Sequence, residues 1–172
     1  MTRWIDQQSH EYFEEHAVQT ARVLYATSYF DDTLSDFLAE YLELNELQDN
    51  ALLRPMSTRS KIDLLGRLAK TFLEPKAEKT FRPFLNEAKS ALDERNSMVH
   101  GVPATDEGKF CLVSWTGKDR LNPQPRPWPV EKVCQLAFRF VELEASLKTL
   151  LDGFRERKAG EGSDDSDDIS EK

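Results

Sequence analysis

A chain of 172 residues is the size of one ordinary domain and can bury a self-sufficient core. No run approaches the ~18 apolar residues that span a bilayer, and MTRWIDQQSHEYFEEH lacks the apolar stretch of a signal peptide, so the expected location is cytoplasmic. A net charge of −8 disfavours phosphate ligands, yet −5 of it falls in the last twelve residues, EGSDDSDDISEK; the remaining −3 leaves a nucleic-acid partner open.

Ser9 suits an N-cap with Glu11, Glu14 and Glu15 behind it, which predicts a long first helix. Phe13, Ala17, Ala21, Leu24, Leu34, Phe37, Leu38, Tyr41 and Leu42 recur at helical spacing but lose phase near SYFDD (28–32), as one bent helix or two would. NELQDNALLRP (45–55) reads as a connection with one short turn. A second helix is expected from Ser57 or Thr58, with Ile62, Leu65, Leu68 and Phe72 inside, Arg59 and Lys70 outside, and Pro75 closing it. The third begins near Lys76 and turns Phe81, Phe84 or Leu85, Ala88, Ala91 or Leu92, and Val99 inward. It holds Pro83 in its first turns and stops at Gly101 and Pro103.

KFCLVSW (109–115) is short, aromatic and β-branched and is followed by the turn-like TGKD, predicting a hairpin or an extended flap. LNPQPRPWP (121–129) reads as an extended loop, and Pro129 suits the first position of a last helix. That helix would bury Val133, Leu136, Ala137, Phe140, Val141, Leu143 or Glu144, Leu147 and Leu150. The predicted fold is all-α: an up-and-down bundle of four to five helices over residues 1–158, with a small β-hairpin or extended flap before the last helix. Residues 159–172, rich in Gly, Ser and Asp, are expected to be a disordered acidic tail. Cys111 and Cys134 form no CxxC pair and read as reduced thiols, and no metal or cofactor motif appears.

The chemistry-bearing stretch is ERNSMVHG (94–101), at the predicted end of the third helix. Asn96 and His100 stand one turn apart, while Arg95 is rotated about 140° from His100 and needs its length to reach that side. RNA cleavage without a metal requires a base for the 2′-hydroxyl, an acid for the leaving 5′-oxygen and a cation for the phosphorane. Histidine can serve as acid or base at neutral pH, and arginine grips phosphate while keeping its charge. With one such histidine per chain, acid and base must be the same residue, a water, or the matching residue of a second subunit. The bland alternative is a solvated helix end whose Arg and His complement the macrodipole, with Arg95 paired to Asp93.

RNSMVHG resembles the Arg-Asn-x-x-x-His signature of the HEPN superfamily, all-α bundles many of which are metal-independent ribonucleases of toxin–antitoxin, anti-phage and RNA-processing systems. The helices carrying ARVLYATSYFDDTLSDFLAEYL, STRSKIDLLGRL, the motif and PVEKVCQLAFRFVELEASL follow in a similar order, over about residues 12 to 152. The first two segments also resemble helical proteins related to the mannitol operon repressor. The resemblance implies Arg95, Asn96 and His100 as the catalytic residues, Arg95 on phosphate and His100 as general acid and base. It also implies a homodimer with two motif helices across one cleft, RNA as substrate, and an antitoxin or regulatory protein as a further partner. The competing expectation is a non-catalytic helical regulator or adaptor.

Arg54, Arg59, Lys61, Arg67, Lys118, Arg120 and Arg126 are candidates for an RNA groove, against the plainer reading of a solvated face. Trp115 and Trp128 could stack bases or anchor the loop. His10 and His16 are six apart on the first helix, not a metal pair, and read as exposed polar positions.

Overall fold

The computed structural model describes residues 7–73, 75–106, 109–113 and 125–161. Helix α1 (Gln7–Tyr41) is continuous. Its inner stripe is Val23, Ala26, Phe30, Leu34, Phe37 and Leu38, all buried and in one helical phase. The slip expected at 28–32 arises only when Ala17, Ala21 and Leu24 are taken as the inner face, and all three are exposed. Ser9 lies inside this helix and does not cap it. The buried hydroxyls of Thr27 and Ser35 donate to the carbonyls of Val23 and Asp31, at 2.7 and 3.0 Å, so the inner face tolerates them.

After α1, Glu43 adopts the left-handed conformation (φ 54°) that more often falls to glycine, and Leu44 N donates to Ala39 O at 2.8 Å, closing the helix end. The short α2 (Glu46–Leu52) starts with a reciprocal cap between Asn45 and Gln48. Ser57 caps α3 (Thr58–Phe72), whose buried residues are Lys61, Ile62, Leu65 and Ala69. Phe72, expected inside, is 66% exposed because Ala69 fills the inner position in the last turn. Pro75 not only stops α3 but opens α4 (Pro75–His100), where its missing N–H costs nothing. Met98 faces the core in place of Val99, which is exposed.

Strands β1 (Val102–Asp106), β2 (Lys109–Val113) and β3 (Pro125–Pro127) form an antiparallel sheet in that order. The predicted hairpin is therefore present, and the proline-rich segment adds an edge strand, where proline is tolerated. TGKD and Trp115 lie outside the described residues, as does the tail from 162. Helix α5 (Val130–Glu161) buries Val133, Leu136, Phe140, Leu143, Leu147 and Leu151, while Val141 faces outward.

Cross-helix pairs fix the directions. Phe30 meets Phe140, Tyr41 meets Phe154, and His16 meets Trp128 just ahead of α5, so α1 and α5 run parallel. Arg59 pairs with Asp93 and Lys89 with Asp63, so α3 and α4 are antiparallel; Arg139 with Glu87 and Lys132 with Glu94 set α4 antiparallel to α5. The sheet closes over the end of α4 at Gly101, where a Cβ would stand 2.9 Å from both Leu112 Cβ and Ser97 O.

Two polar groups are buried against expectation. Lys61 is 1% exposed and bonds Asp31 at 2.7 Å, tying α3 to α1. His16 is 5% exposed, with Nε2 at 3.2 Å from Trp128 O, Nδ1 at 3.4 Å from Thr20 Oγ1, and its ring against Phe110. Burial pushes its pKa below the usual histidine value, partly opposed by the Trp128 bond.

Lys61→Ala should lower unfolding stability by about 3 kcal/mol in urea denaturation, because it strands the Asp31 carboxylate; a loss under about 1 kcal/mol would show that water replaces the pair. Since His16 is held neutral, its contribution is complete above about pH 6.5 and declines as pH falls through the lowered folded value, the unfolded chain taking the proton first. Relative to His16→Gln, wild-type stability should therefore fall below about pH 6.5, by at most ~1.4 kcal/mol per pH unit. Parallel curves would contradict it.

Candidate functional site

The last two turns of α4 present the motif. Arg95 springs from the inner side of the helix, between the buried Ala91 and Met98, and is half-buried. Its Nη1 donates to Asn96 Oδ1 at 3.1 Å, and its Nε is buried without a partner. No carboxylate lies within ion-pair distance of Arg95 among the described residues. Its neighbours take their acids elsewhere: Asp93 binds Arg59 at 2.9 Å, and Glu94 binds Arg139 and Lys132. The Arg95–Asp93 pair expected of a plain helix end is therefore absent, and the Arg95 guanidinium lies against one neutral amide.

Asn96 is half-buried one turn before His100, which is exposed, ends α4 and has no hydrogen-bond partner among the described residues. The structure thus joins Arg95 to Asn96 and leaves His100 one turn on, bonded to neither. Val99 and Val102, 40% and 51% exposed, flank the histidine. An exposed imidazole with no hydrogen-bond partner among the described residues can reach a ligand at the helix end.

Of the other flagged cations, Arg54 is held by Asp32, Asp36 and Asp49, and Lys61 is buried on Asp31; neither can face a ligand. Arg67 and Arg126 are exposed, and Lys118 and Arg120 lie outside the described residues. Trp128 is 3% exposed, with Lys132 Nζ 4.3 Å above its ring, so it anchors the start of α5 and offers no face to a base. Missed in the sequence were Lys70, Arg82 and Lys89, which join Arg67 around one cleft between α3 and α4. For Arg82 and Lys89 the signal was a four-three spacing on α4 that leads to Asn96 and His100. A larger apolar cleft of about 1100 Å³, lined by Leu68, Phe81, Phe84, Leu150 and Phe154, includes none of the motif residues.

No family model, curated protein or solved structure matches this chain.

Among the described residues no helix is long and apolar enough to cross a membrane, and no three or more His, Cys, Asp or Glu side chains converge as a metal site would require. His100→Ala should change unfolding stability by less than about 1 kcal/mol, since the ring is exposed and unbonded. A loss above about 2 kcal/mol in urea denaturation would make His100 a structural residue.

Proposed function

We propose that this protein is a metal-independent endoribonuclease that acts at the end of α4 through Arg95, Asn96 and His100. The observation that carries the reading is the Arg95 guanidinium, without a carboxylate among the described residues and held on Asn96, within a turn and a half of an exposed His100 that is likewise unbonded among them. Arg59 on α3 and Arg139 on α5 take up Asp93 and Glu94, the acids next to it in sequence, and a cation left without a carboxylate favours a phosphate as its counterion.

In this reading the 2′-hydroxyl attacks the adjacent phosphorus as its proton passes to a base. The P–O5′ bond breaks as an acid protonates the leaving oxygen, giving a 2′,3′-cyclic phosphate and a 5′-hydroxyl. Arg95 balances the added negative charge of the phosphorane, and Asn96 fixes the guanidinium. His100 transfers protons. The single motif histidine of each chain supplies one of the two transfers at a time, and a homodimer bringing two α4 ends together supplies both; the exposed Val99 and Val102 give such a contact its apolar rim.

A second reading, a non-catalytic helical adaptor, draws on a different surface. Tyr25 and Tyr29 on α1 and Phe138 and Val141 on α5 are 50–68% exposed on the outer faces of two helices packed together. Large apolar side chains exposed on two neighbouring helices suit a protein contact.

Purified protein in EDTA should cleave pooled RNA to products ending in 2′,3′-cyclic phosphate, and His100→Ala should reduce the rate by about 100-fold or more. No cleavage by wild type at high enzyme, or equal cleavage by both proteins, would overturn the assignment. The first outcome favours the adaptor.

A further inference from the structure

We infer that the groove between α3 and α4 binds the sugar–phosphate backbone of single-stranded RNA and leads it to His100. The inference rests on the ribonuclease reading for its choice of RNA and for the strand's destination; the groove itself is argued from charge and geometry.

On α4, Arg82, Asn86, Lys89, Asp93, Asn96 and His100 follow at alternating spacings of four and three, which sets them on one face. That line is about 27 Å long at 1.5 Å per residue. Arg59, Asp63, Gly66 and Lys70 form the matching line on α3, and the antiparallel pairing interleaves the two. At Gly66 the two helices are in van der Waals range, since a Cβ there would stand 3.4 Å from Leu85 Cδ1. Between the helices lies a cleft of about 520 Å³ whose walls include Ser60, Arg67, Lys70, Arg82, Asn86 and Lys89. A shallower hollow shares Asn86 and Lys89 but lies on the α5 side of α4, lined by Ser90, Asp93, Glu94 and Ser97 together with Arg139 of α5, so the path toward the motif is the α4 line itself.

The charge is distributed unlike that of the chain as a whole, which carries −8. Five cations face this strip, Arg59, Arg67, Lys70, Arg82 and Lys89, while its acids are already engaged: Asp63 by Lys89, Asp93 by Arg59, and Glu78 by Arg82. Arg67 and Lys70 are exposed and have no carboxylate within ion-pair distance among the described residues, so they are the surplus charge of the groove. Lys89 draws the Asp63 carboxyl below its usual range, and Arg59 and Arg67 add to that field. A row of cations with amide and hydroxyl donors between them, and no aromatic lining, suits phosphates and does not read bases.

The test is fluorescence anisotropy of a labelled 2′-O-methyl oligoribonucleotide, which cannot be cleaved, with the full-length protein, the double variant R67E/K70E and the control R22E on α1. The expected result is binding by wild type and R22E that weakens with salt. R67E/K70E should bind at least about ten-fold more weakly, with a log–log salt slope shallower by about 1.4 for the two lost phosphate contacts. R67Q/K70Q, which removes charge without reversing it, should weaken binding in the same direction and guards against a folding defect. Equal affinity and slope in wild type and both double variants, or no binding by wild type, would overturn the groove. Cleavage of unmodified RNA separates the two claims. Salt-dependent binding lost in the double variants with no cleavage by any protein leaves the groove standing without the nuclease. Cleavage unimpaired in R67E/K70E leaves the nuclease without the groove.

Discussion

The parallel packing of α5 along α1 is the constraint from which the remaining structure follows. Two parallel helices cannot be joined by a tight turn, so the chain between them must travel back along the bundle, and α4 is that return. Its C-terminus consequently arrives where α5 begins, beside Trp128 and the buried His16. There the three short strands cover the bundle end, and Gly101 lets them approach. The motif is thus carried to an exposed helix end by the same connection that the α1–α5 pair demands.

Charge is divided by location. Where the α2–α3 segment meets α1, Lys61 is buried on Asp31 and Arg54 is held among three carboxylates. These pairs join helices and have nothing left to offer a ligand, since removing a charge from its partner inside a protein is costly. Toward the α3–α4 furrow the pairing is incomplete, with Arg67 and Lys70 unmatched among the described residues, and Arg95, on the inner side of α4, is matched there only by an amide. A protein of net −8 can therefore present a strip of positive potential without any change in its overall composition.

Periodicity made the helices legible, together with the Ser57 cap, the strand content of KFCLV and the chemical character of Arg95, Asn96 and His100. It failed where apolar residues occur on two faces of one helix: in α1, Ala17, Ala21 and Leu24 compete with Val23, Ala26 and Phe30, and only packing against α5 decides between them. Val141 and Phe72 were misplaced for the same reason. Lys61 and His16 read as surface residues because their partners, Asp31 and Trp128, lie 30 and 112 positions away. The groove was half legible: the α4 line is visible in the spacing, but its meaning requires knowing that α3 lies antiparallel beside it. The ribonuclease reading entered by resemblance, and its support from geometry is the unmatched Arg95 and the free His100.

The most direct test of the account is an NMR titration of isotope-labelled protein with the uncleavable single-stranded oligoribonucleotide. The account requires chemical-shift changes that run from Lys70 and Arg67 through Lys89 to Asn96 and His100, with the outer faces of α1 and α5 unmoved. Changes centred on Tyr25, Tyr29 and Phe138, or none at all, would contradict it.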